Sequence, residues 1–151
     1  MAEVIGSLRV DRVSCTPVSL DHGVLLVGGE GSMLTASSTE FLAKDSQQWK
    51  AGPKLPVSLI YPCTVPITTS SFLAIGGLFS SRMVAELEMD ESNQTHWKQT
   101  QNWNPLSEDR MFHACAKIMK TNQVLIAGGV TDMNENEKHK LLCLLILIRE
   151  L

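Results

Sequence analysis

The chain has 151 residues, of which 44% are hydrophobic and 19% are charged. This is enough apolar material for one globular core, and it excludes a chain that is disordered throughout. The 13 basic and 16 acidic residues give a formal net charge of -3, so the sequence lacks the basic character of proteins that hold a phosphate backbone and disfavours nucleic acid as a partner.

Residues 1–12 form an N-terminal lead-in without the basic stretch and apolar run of a secretory signal. A cytoplasmic location is therefore expected, or a secreted one if a signal peptide lies upstream. The four cysteines, at positions 15, 63, 115 and 143, form no Cys-X-X-Cys pair, which disfavours structural zinc. In a reducing compartment we expect these thiols to stay free.

Three short apolar runs each end in a glycine pair: VLLVGG, FLAIGG and VLIAGG. The pairs are Gly28 and Gly29, Gly76 and Gly77, and Gly128 and Gly129. They are 48 and then 52 residues apart. Short apolar runs that end in glycine favour buried central strands, so the spacing predicts an all-β repeat.

Other residues keep the same spacing from the first glycine of each pair. A cysteine precedes it by 13 residues in all three copies, and in the first two copies a glutamate (Glu40, Glu88) follows it by 12 and a tryptophan (Trp49, Trp97) by 21. We expect the cysteines to be buried packing residues on different sheets, too far apart to bridge. The tryptophans are predicted to fill the seam between neighbouring sheets.

An apolar strand that ends in Gly-Gly, a glutamate in the next strand and a tryptophan nine residues later resembles the kelch motif. The resemblance covers roughly residues 13–133, as repeats of about 13–60, 61–112 and a partial 113–133. It implies an open fragment of a kelch-type β-propeller, with blades of four antiparallel strands and ligand surfaces on loops at one end.

The third repeat is expected to stop after its glycine pair, because Lys140 and Arg149 stand where the glutamate and tryptophan would fall. Residues 134–151 are predicted to be a divergent hydrophobic tail, whose apolar run at 141–148 is too short to span a membrane. Two and a half repeats cannot close a ring, and open blade edges would permit self-association. A fragment of a longer product or a truncated isoform is favoured over an assembly of several copies.

The resemblance implies a protein–protein interaction module, a scaffold or a substrate-recognition part, and not an enzyme. No cofactor or metal site is predicted. The partner would be a protein or peptide, and neither nucleic acid nor a membrane. In the polar loop at 98–110, Trp103, Asn104 and Arg110 are the candidate contact residues, because exposed aromatic and arginine side chains are enriched at interface hot spots.

Two alternatives stay open. Some copper oxidases are built on kelch propellers, so the chain could be a fragment of such an enzyme, although it shows no cluster of His, Tyr and Cys ligands. It could also be a truncated product without independent function. Asn93 begins an N-glycosylation tripeptide that would matter only in a secreted protein.

Overall fold

A computed structural model of the chain describes residues 6–32, 34–78, 82–88, 103–118, 120–121, 123–131 and 146–149. The described residues form strands, turns and bends and contain no helix, which confirms the predicted all-β class. None of them belongs to a helix with the length and apolar character needed to cross a membrane. The strands are β1 (Thr16–Leu20), β2 (Gly23–Val27), β3 (Thr39–Ala43), β4 (Lys50–Ala51), β5 (Cys63–Pro66), β6 (Ser71–Ile75), β7 (Val84–Glu88), β8 (Met111–Ile118), β9 (Gln123–Val130) and β10 (Ile146–Arg149).

The strands form three antiparallel sheets in which each strand pairs with the next along the chain. The first sheet contains β1 to β4, the second β5 to β7, and the third β8 to β10. In the third sheet β10 pairs with β9 as β3 pairs with β2. Four residues of the predicted tail therefore supply the third strand of this sheet.

The core consists of two hydrophobic clusters, each located between two neighbouring sheets. The cluster between the first and second sheets contains Val18, Leu25, Val27, Leu55, Leu59, Phe72, Ala74 and Leu87. The cluster between the second and third sheets contains Val65, Leu73, Ile75, Val84, Trp103, Leu106, Val124 and Ile126. The sheets thus stack face to face in chain order, and the middle sheet is covered on both sides, as the fully buried β6 shows.

The third sheet has one face that no described residue covers. Val18 and Val65 are buried at equivalent positions of the first two sheets, where the third sheet carries the exposed Ala116. Ala114 and Ala127 lie opposite each other on the same exposed face. Three alanines and the half-buried Leu125 therefore stand at positions that pack against a following sheet elsewhere in the chain.

All three glycine pairs lie at the same end of the sheets, which we call the glycine end. Every one of the six glycines has a positive φ, the region that glycine enters without steric cost. The second glycine also links neighbouring sheets: Gly29 donates its N–H to the carbonyl of Leu59 at 2.9 Å, and Gly77 donates to that of Arg110 at 3.0 Å. The pairs thus hold the chain where it enters the next sheet.

Glu40 and Glu88 do not occupy equivalent positions, although they have equal spacing from the glycines. Glu40 pairs with Leu26, two residues before the first glycine, whereas Glu88 pairs with Ser71, five residues before it. The reason is that the loop from the glycine pair to the next strand has nine residues (30–38) in the first repeat and six (78–83) in the second. Glu40 is buried and Glu88 is exposed.

The expectation that the repeat cysteines are too far apart to bridge is wrong. Cys63 and Cys115 form a disulfide with a Cα–Cα distance of 6.0 Å, whereas Cys15 is free. Cys63 pairs with Ile75, one residue before Gly76, but Cys115 pairs with Ile126, two residues before its glycine. Successive strand residues alternate faces, so this one-residue difference turns Cys115 back toward the second sheet and Cys63.

Candidate functional site

Three equivalent residues at the glycine end have an unusual backbone conformation. Ser14, Tyr61 and Phe112 each follow the residue that bridges to the position after a glycine pair, and their φ angles are 54°, 55° and 55°. Residues other than glycine rarely adopt this backbone conformation, and such strained residues cluster at functional sites. The same strained position is thus repeated in three sheets and bears a different side chain in each.

Two of these residues form an aromatic pair that is tied to a carboxylate. The rings of Tyr61 and Phe112 are tilted by 41°, with centroids 4.3 Å apart. The Tyr61 hydroxyl donates a short hydrogen bond to Oε2 of Glu30. This bond, more than burial or the negative charge of Glu30, raises the pKa of Tyr61 above its ordinary value of 10.0. The pair thus places the apolar ring of Phe112 beside the hydrogen-bonded hydroxyl of Tyr61.

The large hydrophobic side chains that are exposed in the described part of the chain all lie at the glycine end. They are Val10, Val13, Leu34 and Phe112, with exposed fractions of 39%, 60%, 75% and 50%. The opposite ends of the sheets carry turns such as Asp21 with His22. The exposed large apolar side chains of the described residues are thus concentrated at one end of the sheets.

A surface pocket of about 340 Å³ lies at the outer side of this end. Val10 and Leu34 contribute apolar walls, and Arg9 and Lys54 contribute basic side chains. The buried Arg12 and Glu40 also line it. The pocket therefore combines apolar surface with exposed positive charge.

A buried ion pair joins the lead-in to the first sheet beneath this pocket. Arg12 Nη2 lies 2.9 Å from Glu40 Oε1, and both side chains are almost fully buried. The Glu40 carboxylate also accepts hydrogen bonds from the backbone N–H groups of Arg9 at 2.7 Å and Val10 at 3.2 Å. Arg12 donates to the Gly28 carbonyl at 2.8 Å. The charges are thus paired and hydrogen-bonded, as buried charges must be.

The half-buried His113 lies on the first strand of the third sheet. Desolvation, followed by the positive charge of Arg110, lowers its pKa to about 4. The backbone of Ile75 opposes this shift, but neither ring nitrogen has a partner with hydrogen-bond geometry in the described structure. His113 is therefore neutral at pH 7.

The described part of the loop predicted to supply the partner contacts buries Trp103, Leu106 and Arg110, whereas its other residues are exposed. Trp103 is only 6% exposed, packs between the second and third sheets, and donates its indole N–H to Glu86 Oε2 at 3.1 Å. Arg110 is fully buried, so that Asn104 is the exposed member of the three predicted contact residues. The expectation that Trp103 and Arg110 are exposed is wrong, because both side chains are buried.

The other predicted residues have mixed outcomes. Trp49 is half-buried and belongs to neither of the two hydrophobic clusters. Trp97, Asn93 and Cys143 lie outside the described residues. Within the ranges that the structure describes, no group of three His, Cys, Asp or Glu side chains is placed to hold a metal ion.

The strained positions Ser14, Tyr61 and Phe112 could not be recognised from the sequence, because they do not keep a constant spacing from the glycine pair. They precede its first glycine by 14, 15 and 16 residues. The hairpin between the first two strands of each sheet grows by one residue per repeat, which hides the equivalence. No family model matches the chain, and no curated protein matches it.

Proposed function

We propose that the three sheets are blades of an open arc of a kelch-type β-propeller, and that the glycine end binds a protein or peptide partner. The repeat spacing, the face-to-face stacking of the sheets and the shared inter-sheet hydrogen bonds of Gly29 and Gly77 support the arc. The exposed alanine face of the third sheet supports it too, since a further blade would cover these positions.

One observation carries the binding role: the exposed large hydrophobic side chains of the described chain gather at one end, beside the strained aromatic pair. Aromatic side chains supply large contact areas at low conformational cost and are enriched at hot spots. Phe112 is half exposed and held in place by Tyr61. It is the residue we expect to contribute most to affinity.

A peptide library displayed on phage, selected on the folded chain, tests this role. We expect selected peptides to bind Phe112→Ser at least tenfold more weakly than the parent chain, a loss of about 1.4 kcal/mol. Their affinity for Thr69→Ala should stay within twofold of that for the parent chain. Thr69 is exposed in a turn at the opposite ends of the sheets and serves as the matched control. Selected peptides that bind both variants and the parent equally would contradict the proposal.

A further inference from the structure

Arg12 shows how a buried arginine is accommodated at the glycine end. Its Nη1 donates to the carbonyl of Gly28, while Nε and Nη2, which form one edge of the guanidinium, donate to Oε1 of Glu40 at 3.2 and 2.9 Å. One edge is thus used for the backbone and the other for a carboxylate. This pairing suits the fork geometry of arginine.

Arg110 is the equivalent residue of the third sheet, since each arginine precedes the residue that bridges to the position after the glycine pair. Its Nη1 donates to the carbonyl of Gly128, as that of Arg12 does to Gly28. Its Nε and Nη2, however, have no hydrogen-bond partner in the described structure. The half-exposed carboxylate of Glu108 lies 3.7 Å from Nη2, which is too long for a hydrogen bond.

The strand register explains the missing partner. The position of Glu40, opposite Leu26, corresponds to Ala85 in the second sheet and to Ile146 in the third. In the second sheet the arginine is also replaced, by Leu59. The first sheet therefore has both charges and the second has neither, whereas the third has the arginine without the carboxylate.

We propose that the Nε/Nη2 edge of Arg110 is a binding site for one carboxylate group, supplied by a small organic acid or by an acidic side chain of a bound peptide. Burying a guanidinium is costly when two of its nitrogens lack hydrogen-bond partners and its nearest carboxylate, that of Glu108, is half exposed. A carboxylate bound at this edge gains a charge-assisted, bidentate interaction. The site is independent of the partner surface proposed above, because Arg110 is not part of that exposed surface.

His113 supports the assignment. Its side chain and that of Arg110 both lie against Gly129, and its two ring nitrogens are buried without partners. A neutral imidazole has one N–H to donate. The two unpaired arginine nitrogens thus lie on a side chain that neighbours His113, and a carboxylate has the acceptors to satisfy both nitrogens.

Thermal unfolding of the whole chain in sodium formate tests the site, with sodium chloride at equal ionic strength as the reference. Formate is the probe because it is the smallest carboxylate. Ligand binding to the native state raises the unfolding midpoint with the logarithm of ligand concentration. We expect this rise in the parent chain and its loss in Arg110→Gln. No rise above chloride, or an equal rise in Arg110→Gln, would overturn the proposal.

Ile146→Glu keeps the test decisive if Arg110→Gln does not fold. The register places this glutamate where Glu40 stands in the first sheet, so we expect a higher unfolding midpoint and no further effect of formate. Ala85→Glu, at the equivalent position beside Leu59, is the matched control and should lower the midpoint. A formate effect that survives in Ile146→Glu would count against the site.

Two peptides separate the sources of the carboxylate: a blocked Gly-Glu-Gly and its Gly-Gln-Gly counterpart, each tested by thermal unfolding. Stabilisation by formate alone indicates a small organic acid as ligand. Stabilisation by formate and by the glutamate peptide, but not by the glutamine peptide, indicates an acidic side chain. Failure of both carboxylates overturns the proposal.

Discussion

The disulfide between Cys63 and Cys115 joins the first strands of two neighbouring sheets across 52 residues of chain. It lies beside the hydrophobic cluster between these sheets, against which Cys115 packs. The bridge therefore reinforces the same seam that Trp103 fills. Cys15, at the same spacing from its glycine pair, stays a thiol.

Cys63→Ala or Cys115→Ala should lower the free energy of unfolding by about 2–5 kcal/mol, because a bridge over a long loop restricts the unfolded chain. Urea unfolding with and without dithiothreitol measures this, and the reductant should have little effect on either variant. Cys15→Ala is the control and should keep the response to reductant. An unchanged midpoint of the parent chain in dithiothreitol would contradict the prediction.

The Arg12–Glu40 pair can be tested by copying the second sheet. Glu40→Ala alone leaves the Arg12 charge buried and unpaired, so we expect a loss of about 3–5 kcal/mol. The double variant Arg12→Leu with Glu40→Ala reproduces the Leu59 and Ala85 that stand at these positions in the second sheet, and should recover most of this loss. Urea unfolding of the single and double variants measures both.

A double variant as unstable as Glu40→Ala would mean that the loss comes from interactions of Glu40 other than its pairing with Arg12. In that case the hydrogen bonds that the carboxylate accepts from the backbone N–H groups of Arg9 and Val10 would be the main source of the stabilisation that Glu40 provides. The Glu40→Gln variant separates the effect of the charge from that of the hydrogen bonds, because the amide oxygen can still accept one of these bonds without carrying charge.

The fold class could be predicted from sequence because apolar runs that end in Gly-Gly are a local signal. The contacts between sheets could not, because they depend on loop lengths. One extra residue in a hairpin moves a cysteine to the opposite face, and this change joins Cys63 to Cys115. A loop shorter by three residues separates Glu88 from the position of Glu40. Equal spacing along the chain therefore did not mean equal position in the sheet.

The candidate site was missed for a related reason. Polarity around Trp103 suggested an exposed loop, yet Glu86 accepts its indole N–H and removes the cost of burying it. The aromatic pair of Tyr61 and Phe112 consists of residues from different sheets that meet only when the sheets stack. Nothing local in the sequence marks either residue.

His113 makes stability depend on pH. Its pKa is about 4 in the folded chain and about 6.5 when unfolded, so the unfolded state binds the extra proton first. Stability from this group is complete above pH 6.5 and falls as the pH drops toward 4, by on the order of 3 kcal/mol. Urea unfolding between pH 7 and 5 should show a shallower decline in His113→Gln; equal slopes would contradict the assignment.

Tyr61 is the one tyrosine of the chain, so absorbance at 295 nm reports its ionisation directly. We expect a titration midpoint above 10.0, because the hydrogen bond to Glu30 favours the protonated phenol. Glu30→Ala should move the midpoint back toward the ordinary value, since it removes the hydrogen-bond acceptor together with its negative charge. Glu108→Gln is the control. Circular dichroism at each pH verifies that the chain is folded, and identical midpoints in all three proteins would refute the contact.

Gly28 and Gly128 share a left-handed backbone, with φ of 60° and 70°, but differ in their surroundings. A Cβ on Gly28 would lie 2.2 Å from the Leu59 carbonyl oxygen, whereas one on Gly128 meets nothing within 4 Å in the described structure. Each Gly→Ala change should cost about 1 kcal/mol of backbone strain, and Gly28→Ala about 1–3 kcal/mol more, because the entry to the second sheet must move. Urea unfolding of the two variants measures the difference. Equal losses would mean that another segment crowds Gly128 as Leu59 crowds Gly28, and the third sheet would then be covered at its glycine end rather than open.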